Sequence, residues 1–262
     1  MHEAFKAQQC YKMREMRFVS QASQISSAGM GINMDSNEVK NRLFQLGADL
    51  CKIASVNSFD AAPEGFHPRD VLPSCKSVIV FINRFLAGTL ACNTTVPYTI
   101  VRNILSDRMD KMAVQFCVDL EKEGIIAVPT GTIGPTEYDS GTQRWRNIIS
   151  AKHAAEAAGL GEIGKNTLLI TPEYGNMVWI SVILTELELE PDKINEHAFC
   201  NDCNLCVEIC PVQALGEPGM EQTKCWDYAF GSESGGDWKI KCHKCRDICP
   251  FCLGSENQVM RR

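Results

Sequence analysis

The sequence predicts a mixed α/β protein in two parts, an α/β domain followed by a small cysteine-rich one. Three observations carry this. The apolar run Val78-Ile79-Val80-Phe81-Ile82 lies between segments of helical period, as a strand buried on both faces does. Nine of the 14 cysteines crowd between Cys200 and Cys252, and the other five are scattered. A chain of 262 residues, 45% hydrophobic and 22% charged, has the composition of an ordinary globular protein of about one to two domains. The expected division is an extension over 1–34, an α/β domain over 35–192 and a cysteine-rich domain over 193–262.

Residues 1–34 show no sustained period and read as an extension. Asp35 or Ser36 caps a helix in which Val39, Leu43, Leu46, Leu50 and Ile53 recur at helical spacing. Pro63 and Pro68 mark a loop, and the strand at 78–82 follows. A longer helix is expected from about Thr99 to Glu123, with Ile100, Ile104, Met112, Phe116 and Leu120 inward and Arg108, Asp119 and Lys122 outward. Gly124 ends it, and Ile125 to Val128 make the next strand. Residues 129–147 read as a long loop of the kind that carries function. A third helix runs from about Ile149 to Ala158, then a Gly-rich turn from Gly159 to Asn166, then a strand from Met177 to about Leu187.

In the tail, Cys200-x2-Cys203-x2-Cys206-x3-Cys210-Pro211 has the full spacing of bacterial ferredoxins, and Cys242-x2-Cys245-x3-Cys249-Pro250 repeats its last three positions. A [4Fe–4S] cube needs four thiolates. Short spacings wrap three around it, and a remote cysteine before a proline supplies the other cluster. One cluster is therefore expected on Cys200, Cys203, Cys206 and Cys249. The second takes Cys210, Cys242, Cys245 and one more, because Lys239 stands where the second motif's first cysteine would be. Cys225 is the choice, since Cys252 lies beyond the Pro250 turn and past a ligand of the other cube; Cys252 is the alternative. Structural zinc on a four-cysteine site made by Cys203-x2-Cys206 with Cys242-x2-Cys245 is the rival. It does not need two Cys–Pro motifs. His197 and His243 read as neighbours of the clusters or surface residues, and Lys241, Lys244 and Arg246 as partial offsets to cluster charge.

The first 20 residues carry no apolar signal core, so a cytoplasmic chain with reduced thiols is expected, and Cys10, Cys51, Cys75, Cys92 and Cys117 read as small buried hydrophobes or inert thiols. Lys+Arg 26 against Asp+Glu 32 leaves a net charge of −6, from which no nucleic-acid partner is expected. No apolar run approaches the roughly 20 residues of a membrane helix.

Gly159-Leu160-Gly161-Glu162-Ile163-Gly164-Lys165-Asn166 matches GxGxxG and nearly matches a P-loop. Both need a strand before the glycines and a helix after them. Here the order is helix, turn, extended segment, so neither dinucleotide nor nucleoside triphosphate binding is expected. A helix C-cap accounts for one glycine, and a backbone that lets a large flat ligand approach accounts for three.

The segment Ala158-Gly-Leu-Gly-Glu-Ile-Gly-Lys-Asn-Thr-Leu-Leu-Ile-Thr-Pro-Glu-Tyr-Gly175, ahead of a strand and the double cysteine motif, resembles epoxyqueuosine reductases and the catalytic part of reductive dehalogenases. Pro63-Glu-Gly-Phe-His-Pro68 through Leu72-Pro-Ser-Cys-Lys-Ser-Val-Ile-Val80 resembles the dehalogenases in particular. The resemblance implies a nitroreductase-like α/β domain holding cobalamin, followed by a ferredoxin-like domain whose two [4Fe–4S] clusters relay electrons to the cobalt. It places Gly159, Gly161, Gly164 and Asn166 at the cofactor. The acid of the epoxyqueuosine reductases falls near Trp145, so Tyr138 with Lys165 is the expected proton-donating pair, by analogy with the dehalogenases. Glu137 and Asp139 are alternative acids, and Arg144, Arg146 and His153 are candidate contacts to cobalamin. The implied partners are a low-potential donor such as ferredoxin or flavodoxin, a small-molecule substrate, and a second copy in a homodimer. Two further readings stand beside this one: an electron-transfer protein with no substrate site, and a flavin-binding reductase.

Overall fold

A four-stranded antiparallel sheet forms the frame, in the order β1 (Leu50–Ser55), β2 (Ser77–Arg84), β8 (Val178–Thr185) and β3 (Ala127–Pro129). It belongs to a computed structural model of the chain that describes residues 34–142, 144–194, 198–216, 219–232 and 236–256. The extension, Cys10 and His197 lie outside the described residues, Met34 excepted. Asp35–Arg262 form one compact unit.

Helix α1 (Ser36–Leu46) begins at Asp35, whose carboxylate accepts from the Glu38 N–H at 2.8 Å, and ends at Gly47, left-handed at φ 106°. Strand β1 (Leu50–Ser55) follows directly. Leu50 and Ile53 are thus strand residues and not the last turns of the helix, as their spacing had suggested. Gly47 breaks the period, and β1 finds its partner in β2 (Ser77–Arg84), Ile53 opposite Ile79. A short helix α2 (Pro68–Val71) lies between them. All but the last residue of β2 are buried. Each large apolar side chain so placed contributes roughly 1.5–3 kcal/mol.

Helix α3 (Val96–Lys122) leads to β3 (Ala127–Pro129), and β8 (Val178–Thr185) later enters between β2 and β3. The buried face of α3 comprises Tyr98, Thr99, Ser106, Met109, Met112, Ala113, Phe116, Cys117 and Leu120. Met112, Phe116 and Leu120 point inward as expected. Ile100 and Ile104 do not: they are 51% and 61% exposed. Polar contacts set the rotation instead. Ser106 Oγ accepts from Trp179 Nε1 at 2.9 Å, and Thr99 Oγ1 from the Ile240 N–H at 3.0 Å.

Between β3 and β8 run the hairpin β4 (Glu137–Asp139)–β5 (Arg144–Arg146), helix α4 (Ala151–Ala157) and the two-residue strands β6 (Glu162–Ile163) and β7 (Leu169–Ile170). Ala154, Ala155 and Ala158 pack on one face of the sheet with Val78, Val80, Ile82 and Val182. The tail carries α5 (Leu205–Glu208), the hairpin β9 (Leu215–Gly216)–β10 (Gly219–Met220), α6 (Gln222–Ala229), the hairpin β11 (Phe230–Ser232)–β12 (Trp238–Ile240) and α7 (Lys244–Asp247). It shares a core with the sheet domain, in which Ile240, Cys252 and Leu253 pack with Phe85, Tyr98 and Met177. A Cβ on Gly175, at φ 59°, would collide with the carbonyls of Phe251 and Cys252. That glycine is what lets the two chain segments touch.

Of the scattered thiols, Cys51, Cys75 and Cys117 are buried as expected, and burial pushes Cys51 and Cys117 up to about 12. Cys92 differs in being exposed, next to a 3-10 turn. Among the described residues no helix is long and apolar enough to cross a membrane.

Candidate metal centres and the turn that supports them

The two cysteine motifs fold alike, bond for bond. In the first, Val207 and Glu208 donate to Asn204 O, Ile209 to Leu205 O, and Cys210 to Val207 O. In the second, Arg246 and Asp247 donate to His243 O, Ile248 to Lys244 O, and Cys249 to Arg246 O. The resulting helices α5 and α7 pack together. Residue 239 has no counterpart to this likeness: it lies in β12 opposite Gly231, whereas Cys200 sits in a loop.

The thiols interact in two groups. Burial raises the pKa of Cys206, and the charges of Cys200 and Cys249 add to the rise; Cys249, raised mainly by burial, feels Cys200 and Cys203. Cys200, Cys203, Cys206 and Cys249 all line one cavity, together with Lys165, Asn166, Ile170, Phe199, Leu205 and Phe251. In the other group, burial raises Cys225, which feels Cys210 and Cys242. Burial also takes Cys245 up to about 11; it feels Cys225 and Cys242 more than Cys206. Cys252 is 4% exposed and lies in the apolar cluster of Phe85, Tyr98 and Met177. Among the described residues, no three His, Cys, Asp or Glu side chains stand close enough to hold one metal ion.

The Gly-rich turn buttresses these loops. Helix α4 precedes it and β7 follows, the order that excludes a P-loop. Lys52 Nζ donates to Gly159 O at 2.5 Å, and Lys152 Nζ to Thr167 O at 2.6 Å, with burial lowering the basicity of Lys152. Glu156 accepts from the Ile163 N–H and Glu162 from the Phe199 N–H, both at 2.9 Å. The Lys165 N–H donates to Cys200 Sγ at 3.2 Å and its Nζ to Asn204 Oδ1 at 2.9 Å. Asn166, 3% exposed, donates to Cys245 O at 3.1 Å and accepts from the Leu168 N–H.

Each glycine is used against the protein's own chain. A Cβ on Gly159, at φ 75°, would stand 2.8 Å from Lys193 O; one on Gly161 would collide with Ile170 O; one on Gly164 would lie 2.9 Å from Ile170 Cδ1 and 3.7 Å from Cys200 Sγ.

Tyr138 and Lys165 share no hydrogen bond or ring contact among the described residues. Tyr138, 53% exposed, packs on Trp145 across the β4–β5 hairpin with ring centroids 5.2 Å apart. Arg146 reaches Glu137 at 3.6 Å and lies over the Phe66 ring, so the hairpin meets the 63–68 loop. Asp139 accepts from Thr142 Oγ1 and the Gly141 N–H, which holds its carboxyl below the usual range. His153 Nδ1 pairs with Ser150 Oγ at 2.7 Å. His243 is half-buried, stacked on Tyr98 with centroids 4.6 Å apart, and burial lowers its basicity.

Two site residues escaped the sequence reading. Gln222 of α6 pairs with both backbone groups of Trp145, at 2.7 and 3.0 Å, and ties the hairpin to the tail. Asn176, fully buried, donates to Arg246 O at 3.1 Å. A polar residue just ahead of the apolar run of β8 was the available signal for Asn176. Nothing in the sequence marked Gln222.

No family model matches the chain. It is 39% identical over 121 residues to the epoxyqueuosine reductase of Gloeobacter violaceus, a match taking in 41% of this chain and 37% of that one. For the enzyme of Listeria monocytogenes the figures are 38% over 118 residues, 41% and 31%. The chain thus matches well under half the length of these relatives. Among solved structures, the epoxyqueuosine reductase of Streptococcus thermophilus superposes with a TM-score of 0.60 at 20% identity, over 86% of this chain and 68% of the other. A reductive dehalogenase, whose structure suggests a mechanism for B12-dependent dehalogenation, gives 0.66 at 18% identity, over 89% and 34%. A third neighbour, TM-score 0.55 at 20% identity over 82% and 64%, is an epoxyqueuosine reductase with an epoxyqueuosine-modified tRNA-Tyr stem loop. This last finding corrects the expectation of no nucleic-acid partner. That expectation rested on a net charge of −6, which sums the whole surface and does not register local cations such as Arg144 and Arg146 on an exposed hairpin.

Proposed function

From kinship with the epoxyqueuosine reductases in sequence, and with the reductive dehalogenases in fold, we propose that this chain is an iron–sulfur reductase. One observation carries the reading: seven thiols of two like-folded motifs, with Cys225 of α6, gather in two groups of four, and the first four line a single cavity. Thiols that gather in fours without converging on a point suit a cube better than a lone zinc ion. Cys200, Cys203, Cys206 and Cys249 would hold one [4Fe–4S] cluster, and Cys210, Cys225, Cys242 and Cys245 the other. The charge interactions of Cys225 with Cys210, Cys242 and Cys245 favour Cys225 as the eighth ligand.

When bound, the clusters supply electrons at low potential, and a corrinoid, proposed on kinship alone, supplies the reducing centre. The protein's own part is clearest at the first site. The Lys165 N–H donates to Cys200 Sγ, its Nζ to Asn204 on the same loop, and Glu162 accepts from the Phe199 N–H beside it. The Gly-rich turn is thereby assigned to cluster support, and no residue is assigned to the corrinoid. Tyr138 remains the proposed proton donor, without Lys165.

On the substrate side, a modified tRNA stem loop is the class to test first, because the relatives in sequence are epoxyqueuosine reductases. The hairpin suits it: Tyr138 and Trp145 are 53% and 46% exposed, beside Arg144. Aromatic faces and guanidinium groups are what unstacked RNA bases and phosphates engage.

Anaerobic purification with cobalamin supplied tests the whole reading. The protein should carry iron and acid-labile sulfide and retain a corrinoid spectrum. Zinc in place of iron would overturn the reductase, and iron without any corrinoid would reduce it to an electron carrier. Binding to an epoxyqueuosine-bearing stem loop should weaken about tenfold in Trp145→Ala, from a stacking contribution of roughly 1–3 kcal/mol. Unchanged binding removes the hairpin from the substrate site.

A further inference from the structure

Arg246 is 6% exposed, yet among the described residues no carboxylate pairs with it. Its neighbours are neutral. Nη1 donates to Asn176 O, Tyr98 is hydrogen-bonded to it, and its guanidinium lies 5.8 Å from the Phe85 ring centroid. A guanidinium cannot shed its proton, and burying it without a counter-charge is costly. Cys245, its neighbour in the chain, is a proposed ligand of the second cluster.

The two motifs supply an internal control. With Cys206 set against Cys245 and Cys210 against Cys249, Arg246 occupies the position of Val207. The backbone bonds at the two positions are the same, so the difference is one of charge and burial and not of fold. Only the second motif carries a buried cation there.

We infer that Arg246 is a positioning residue, the buried counter-charge of the cluster on Cys210, Cys225, Cys242 and Cys245, and that it raises that cluster's reduction potential. Reduction adds one electron to an already anionic centre, and a fixed cation beside it favours the more negative state. The inference rests on the two-cluster reading above.

Anaerobic potentiometric titration of the holoprotein, followed by electron paramagnetic resonance, tests it. Arg246→Gln should retain both clusters, lower the midpoint of one of them and leave the other in place, and Arg246→Lys should restore most of the shift. Arg246→Gln with both clusters and unmoved midpoints would overturn the inference and leave the two-cluster reading standing. Wild-type protein without clusters would remove that reading instead. If Arg246→Gln does not assemble, Val207→Arg decides, since Val207 is only half-buried and tolerates a long side chain. It should raise the midpoint of the first cluster, and no movement there counts against a charge effect.

Discussion

The two cysteine motifs share a backbone and differ in what holds them. The first leans on the Gly-rich turn: Lys165 reaches Cys200 and Asn204, and Glu162 reaches Phe199. The second is gripped by two buried asparagines, Asn166 on Cys245 O and Asn176 on Arg246 O, and carries a buried arginine where the first has Val207. Cysteine spacing therefore specifies the loop, and the preceding domain specifies the surroundings. Two sites with one ligand pattern can in this way be given different potentials.

The second motif is the more tightly held of the two, and substitutions at its contacts should have the larger effects. Gly175→Ala puts a Cβ into two carbonyls of the Cys249–Cys252 segment at a left-handed φ, and should cost about 3 kcal/mol and lower the melting temperature accordingly. Gly216→Ala, with nothing within 4 Å of the new Cβ, should shift it negligibly. Equal effects would deny that the two chain segments are in contact. Asn176→Ala leaves a buried carbonyl without its donor, at a cost of roughly 1–3 kcal/mol, and should loosen the second motif before the first. Glu162→Ala acts on the first motif through one backbone hydrogen bond and should cost about 1 kcal/mol. Hydrogen exchange at Phe199 would report it. The smallest effect is chemical: outside the motifs and within the described residues, iodoacetamide should label Cys92 in the native protein and spare Cys51, Cys75 and Cys117. Burial keeps these three thiols protonated at neutral pH.

How far the sequence could be read divides along the same line. The likeness of the two cysteine loops was legible because their spacing is a local property of the chain. So were β2, with its unbroken apolar run, and the Asp35 cap of α1. Local period misled where a helical and an extended pattern coincide, as at Leu50 and Ile53. It misled again at Ile100 and Ile104, where contacts from Trp179 and Ile240 set the helix rotation. At the three glycines an added Cβ would meet Lys193, Ile170 and the Cys200 loop, contacts set by chain segments that local spacing does not reveal. Asn176 and Gln222 act across long sequence separations, so spacing rules do not reach them.

Eight thiols, Cys225 among them and Cys252 not, are proposed to form two four-thiol sites. Iron and acid-labile sulfide counted in anaerobically reconstituted wild type, Cys225→Ala and Cys252→Ala test this most directly. The structure predicts a full complement in wild type and in Cys252→Ala, and the loss of one cluster's iron in Cys225→Ala. Full iron in Cys225→Ala with half in Cys252→Ala would contradict it.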